Sequence, residues 1–171
     1  MNLATANIQL LRAAIPLDDS MNATFSLCHA DHSQNWRAEF VVAITTLRAV
    51  GHVLHKVDCK RYPEITRCVQ GRFKRWKLGK GEDELFVHFI EDTRNLLLKT
   101  YEFPSDEATV FKTDSSGELS PSDPDLDLVV SGYFKGCSVI GLLQHSHKWW
   151  IRELTEIASY IHHEIPQDPL I

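Results

Sequence analysis

The segment Arg94-Asn95-Leu96-Leu97-Leu98-Lys99-Thr100-Tyr101 sets a guanidinium, an ammonium five positions on and a phenol two beyond that near the end of a helical stretch. Arginine meets phosphate through a planar fork of N–H donors, lysine meets it as a point charge, and tyrosine orients a substrate through its O–H. Together these groups suit phosphate chemistry. Residues five apart on a regular helix differ by about 140°, whereas residues seven apart nearly coincide, so Arg94 and Tyr101 share a face that Lys99 leaves. Arg94 and Lys99 converge only through a helix distortion or across a dimer. The competing reading makes both of them solvated helix charges and packs Tyr101 under the following loop. A second group stands at Arg48, His52 and His55, where spacings of four and three put three side chains on one helix face. It supplies two imidazoles, the side chains best suited to moving protons near neutral pH. The plain alternative is a pair of partly buried, hydrogen-bonded helix histidines.

Segment 94–101 resembles the Arg-x4-His-x-Tyr signature of the HEPN superfamily, small all-helical proteins that include ribonuclease toxins, with Lys99 standing where the family has its histidine. The resemblance implies phosphate and transition-state contacts for Arg94, matches Asn95 to the polar residue often following that arginine, and matches Tyr101 to the family tyrosine. It further implies an RNA-associated protein, a relative of defence-system toxins, with a homodimer or an antitoxin-like protein as partner. A metal-independent ribonuclease must take the proton from a ribose 2'-hydroxyl, protonate the leaving oxygen and offset phosphate charge. An ammonium, ordinarily titrating near 10.4, serves as a proton carrier at pH 7 only after strong desolvation. His55 offers a true imidazole, and Arg48-x6-His55 also fits the looser Arg-x4-6-His form, without the following Asn and the terminal Tyr. Little or no nuclease activity is therefore expected of the chain as it stands, and no metal or other cofactor is called for. The competing class is a non-enzymatic helical interaction module that uses Trp149-Trp150 and the basic segment for protein contacts.

Bases and aromatics interleave in Gly71-Arg72-Phe73-Lys74-Arg75-Trp76-Lys77-Leu78. That pattern pairs phosphates while stacking unpaired bases, which makes Arg72, Phe73, Lys74, Arg75, Trp76 and Lys77 the nucleic-acid-binding candidates. The same spacing fits a short amphipathic helix whose Val69, Phe73 and Trp76 face the core. Residues 56–80 hold nine of the 18 basic residues against Asp58 and Glu64, a formal +7 that leaves −12 on the rest of a −5 chain. Such a balance argues against coating nucleic acid over the whole surface and allows a local patch. His29 and His32 repeat the H-x-x-H spacing of His52 and His55, but no carboxylate at bundle-metal spacing accompanies either pair. His145 and His147 flank Ser146 just before Trp149-Trp150, a cluster that suits a packed core or a subunit interface.

The elements that must position these groups are helical. Trp36, Phe40, Ile44, Leu47 and Leu54 recur at spacings of three, four and seven, predicting a helix over 34–57 with Ser33 as N-cap. Acidic Glu82, Asp83 and Glu84 open a second helix over 82–101, ahead of Pro104. Val139, Leu143, Trp150, Leu154, Ile157 and Ile161 predict a third that runs to 165 before Pro166, longer than about 40 Å at 1.5 Å per residue. Residues 3–30 read as helix broken near Pro16, with residues 18–20 able to cap a second piece. Segment 104–132 holds Pro104, Pro121, Pro124, Gly117 and Gly132, and eight acids lie between Glu102 and Asp127. It reads as a surface loop with a small hairpin around Asp114-Ser115-Ser116-Gly117. The expected fold is one all-α domain over 1–171, an antiparallel bundle of four to five helices with this acidic loop inserted. The four cysteines lack a C-x-x-C pair, and no leader or bilayer-length apolar run stands out. A cytoplasmic setting without membrane attachment is the expectation.

Overall fold

Helix α1, Ala14–His29, begins where a carboxylate from another helix meets the amides just ahead of it. Asp58 accepts the backbone N–H groups of Arg12 at 2.8 Å and Ala13 at 2.9 Å, which supplies partners for donors that a helix start leaves free. Pro16 lies in the first turn, where a missing N–H removes no helical bond, so α1 continues through it. The expected break is absent, and Asp18 and Asp19 sit on the exposed face of an unbroken helix. The computed structural model describes residues 8–29, 35–105, 111–113, 119–121 and 127–161. The expected cap Ser33, His32 and the helical reading of residues 3–7 lie outside that set.

Helix α2 starts at Trp36 and runs 26 residues to Arg61, its last part passing through a π-helical turn at Leu54–Asp58. It outlasts the predicted end by four residues. The widened turn points Asp58 inward, fully buried, toward the start of α1. Ser20 of α1 donates to the Ala43 carbonyl at 2.8 Å, while residues 12 and 13 meet Asp58. Early α1 therefore meets late α2, and the pair is antiparallel. By length and composition alone Trp36–Arg61 is apolar enough to cross a bilayer, contrary to the expectation that no bilayer-length apolar run stands out. In the bundle its stripe of Phe40, Ile44, Leu47 and Val50 is fully buried.

The basic stretch folds as helix α3, Thr66–Trp76, with Val69 and Trp76 turned inward. Helix α4 follows a 3-10 turn at Gly81–Asp83 and consists of a π-helical part, Leu85–Glu91, and a regular part, Asp92–Thr100. Helix α5, Val139–Ala158, is capped by the Ser138 hydroxyl, which accepts the Gly141 N–H at 2.9 Å, and by Asp127, which accepts that of Ile140 at 2.8 Å. Its 20 residues span about 30 Å. The predicted length is too great because the helix ends at Ala158, with Ile161 buried in the turn beyond.

Trp76 sits among Phe86, Trp149 and Trp150, its ring centroid 5.1 to 5.6 Å from each of theirs. This aromatic cluster joins α3, α4 and α5, and one buried core continues from Ile8 to Ile161. The architecture is an all-α helical bundle. Within the long loop, strands β1, Phe111–Thr113, and β2, Leu119–Pro121, pair antiparallel with Lys112 opposite Ser120, so the expected hairpin forms; its tip lies outside the described residues. The loop's start is buried at Pro104 and Ser105, and Val129 near its other end is buried too, while Ser131 and Gly132 are exposed.

Candidate functional site

Helix α2 presents Arg48, His52 and His55 to a cleft with two adjoining lobes. One lobe, about 370 Å³, lies between α2 and α3 and is lined by Arg48, Gly51, His52, His55, Lys56, Gln70, Phe73 and Lys74. The other, about 380 Å³, lies between α2 and α4 and is lined by Thr45, Arg48, Ala49, His52, Arg94 and Leu98. Arg48 and His52 belong to both. Among the described residues no acidic side chain lines either lobe, and the one carboxylate paired with a lining cation is the buried Glu91, which sits behind Arg48. That arrangement attracts anions.

Arg48 is held rather than free. Its Nη2 donates to Glu91 Oε1 at 2.8 Å, and its guanidinium lies 5.6 Å from the Phe86 ring centroid. Glu91 is buried and also accepts from Lys77 Nζ. The result is a guanidinium fixed on one side, which lowers the entropy cost of engaging a ligand with the other. Gly51 makes the close packing beneath it possible: a Cβ there would stand 3.2 Å from the outer edge of the Trp150 ring. A mid-helix glycine costs roughly 0.5–1 kcal/mol relative to alanine, and here it lets α2 approach α5.

The 94–101 signature divides. Arg94 lines the second lobe, half-buried, with its Nη1 donating to Asn95 Oδ1 at 3.0 Å. Lys99 is exposed and lines neither lobe, as the 140° step predicts, because Asp92–Thr100 is regular α-helix. Tyr101 also leaves the Arg94 face, contrary to the seven-residue spacing. It terminates α4 in the left-handed conformation, φ 59°, which breaks the helical register and sets its ring edge-on to Phe103 at 5.4 Å. Only Arg94 and Asn95 of the four signature positions remain near the cleft, and the Arg48, His52 and His55 face joins them there.

The interleaved basic segment divides too. Phe73 and Lys74 line the first lobe, whereas Arg72, Arg75, Trp76 and Lys77 are engaged elsewhere. Arg72 pairs with Glu153 and Glu156 at 2.6 Å each, Arg75 with Glu153 at 2.6 Å and Asp83 at 2.9 Å, and Trp76 Nε1 donates to Glu153 at 3.0 Å. Burial pushes the Glu153 carboxyl up, but the hydrogen bonds from Arg72 and Arg75 outweigh it and hold the net value below the ordinary range. Trp76 is wholly buried and has no face to offer a base. Its stacking role is corrected: the ring is an element of the aromatic core. Trp149 and Trp150 are likewise buried within the single chain, with Trp149 Nε1 donating to Asp83 at 3.2 Å, so they present no apolar surface to a second subunit.

Three described histidines outside the cleft are hydrogen-bonded within the chain. His147, buried, meets Ser20 Oγ through Nε2 at 2.9 Å, and since the Ser20 hydroxyl donates to Ala43, the imidazole is the donor. Burial lowers its pKa to about 4. His145 and His29 bond to carbonyls one turn back on their own helices, both at 2.8 Å. Among the described residues no three His, Cys, Asp or Glu side chains converge as metal ligands.

Sequence spacing identified Arg48, His52 and His55 as one face. It missed Gln70, although Gln70, Phe73 and Lys74 stand three and four apart as neighbours on a helix must, and it missed Glu91, whose partners lie far away in sequence. No protein-family model, curated protein or solved structure matches this chain.

Proposed function

We propose that the cleft binds the phosphate backbone of RNA and that the protein is an RNA-associated, HEPN-like helical protein. The observation that carries this reading is the meeting of Arg94 with Arg48 and His52 in one acid-free lobe, continuous through those last two residues with a lobe edged by Lys56 and Lys74. Phosphate contacts from arginine and lysine supply affinity, and a net charge of −5 over the whole chain discourages indiscriminate coating. Lys99 stands outside the cleft, which accords with a binding role more than with strand cleavage by the family's arrangement.

Equilibrium binding of a short single-stranded oligoribonucleotide, followed over a range of salt, tests the reading. The wild type is expected to bind with a negative slope of log affinity against log salt. Arg94→Ala should weaken binding roughly five- to tenfold and flatten that slope by about 0.7, the share of one phosphate contact on a single strand. Lys99→Ala should change affinity less than about twofold. Absence of binding at low salt removes the reading in favour of a protein-interaction module. In the same samples little or no strand cleavage is expected. Robust metal-independent cleavage lost in Arg94→Ala but kept in Lys99→Ala would assign proton transfer to His52 or His55.

A further inference from the structure

We infer that the lobe between α2 and α3 seats one unpaired nucleobase, which makes the cleft selective for single-stranded over duplex RNA. This rests on the RNA reading above and assigns its two lobes different tasks. The α2–α4 lobe is walled by Arg48, His52 and Arg94 and suits phosphate. The α2–α3 lobe differs: Phe73 forms one wall, with its ring centroid 6.4 Å from that of His55 on the other helix and the two planes tilted by 32°. At that separation the two rings already touch in a tilted arrangement, so an entering base stacks on the side that Phe73 turns to the lobe rather than between the rings.

Phe73 cannot easily swing away, because Trp76 and Phe86 pack edge-on against it at 6.1 and 5.9 Å and the Lys77 ammonium lies over its ring at 5.8 Å. Gly51 lines the lobe, and its missing Cβ lets the helix close onto the buried Trp150 ring behind it. Gln70, at the rim, carries both a donor and an acceptor, the equipment needed to bond a base edge. Lys56 and Lys74, also lining the lobe, are placed to hold the phosphates on either side of an inserted base. The lobe's volume, about 370 Å³, falls in the range of small-ligand sites, roughly 300–1,000 Å³. Bases inside a duplex are stacked on their neighbours and cannot enter such a lobe without being extruded, whereas those of a single strand splay out onto aromatic side chains.

The test compares a short oligoribonucleotide with a strand of the same length whose central riboses lack bases, so that phosphate count is constant and only the bases differ. The wild type should bind the intact strand at least roughly fivefold more tightly, the scale of one base stacked on an aromatic ring. Phe73→Leu, with folding checked by circular dichroism and a urea midpoint, should bring the ratio of the two affinities toward one. Gln70→Trp fills the lobe from an exposed position and should do the same even if Phe73→Leu proves unstable. A duplex of equal length should bind more weakly than the single strand.

A wild-type ratio near one, with both strands bound, overturns the base lobe and leaves the phosphate reading standing. So does a ratio that neither variant changes, or a duplex bound as tightly as the single strand. Equal affinity for a nucleoside monophosphate and the strand overturns RNA as the source of the base. Failure of every strand to bind removes both proposals.

Discussion

Two basic concavities lie on opposite sides of α3, and they have opposite electrostatic fates. The one facing α5, about 290 Å³, is lined by Arg75, Lys80 and Arg152 together with Glu82, Asp83, Glu153 and Glu156, so each sign meets its opposite. The one facing α2 has Arg48, Lys56, Lys74 and two histidines with no acid in its lining. Both draw cations from the same basic stretch of sequence. The difference teaches that a run of Lys and Arg does not by itself define a binding surface; carboxylates brought in from other elements decide which cations stay available. Toward α5 the cations hold the bundle together, and toward α2 Lys56 and Lys74 face the lobe without an acid while Arg48 is tied to Glu91 on one side only.

Removing the central acid should break this contrast most strongly. Glu153→Ala removes the buried carboxylate shared by Arg72, Arg75 and the Trp76 indole, leaving Arg72 with Glu156, the half-exposed Arg75 with Asp83 and the buried indole without an acceptor. A loss of about 3–5 kcal/mol in urea unfolding is expected, as for other broken buried pairs. A loss below about 1 kcal/mol would show that the network does not hold α3 in place.

A smaller effect sharpens the contrast between buried and cleft histidines. The folded-state pKa of His147, about 4, lies below its ordinary value of 6.5, so the stability it contributes is complete above pH 6.5 and is lost as pH falls from there toward 4. The shift corresponds to about 3 kcal/mol. Glu153, held low, loses its own contribution as pH falls further through its folded value, while Asp58, raised by burial, acts in the opposite direction. Unfolding free energies measured between pH 7 and 4 should fall, and His147→Gln should flatten that fall. His55→Gln, at an exposed cleft position, should alter stability at pH 7 by no more than about 0.5 kcal/mol. An undiminished slope in His147→Gln would place the acid sensitivity elsewhere.

Much of the framework was legible because apolar spacing reports the face a helix buries: the stripes of α2 and α5 follow directly from Phe40, Ile44, Leu47, Leu143, Trp150 and Leu154. The helix ends were less legible. Pro16 reads as a breaker unless its place in the first turn is known, and the π-helical turn before Asp58 leaves no mark in a periodicity that assumes 3.6 residues per turn. Half of the site was visible as Arg48, His52 and His55 on one face. Its junction with Arg94 was not, since no local spacing connects residue 48 to residue 94. The departure of Tyr101 was equally hidden, because a left-handed helix end is usually signalled by glycine or asparagine and here falls on a tyrosine.

The most direct measurement of where RNA sits is photo-crosslinking of a single strand carrying 4-thiouridine to the native protein, followed by sequencing of the adducted peptides. The predicted adducts fall on the walls of the α2–α3 lobe, at Phe73 or His55, and diminish when Arg94 is replaced by alanine. Adducts confined to Lys99 and Tyr101, or to the α5 side of α3 near Arg75 and Arg152, would contradict the assignment of RNA binding to the acid-free cleft.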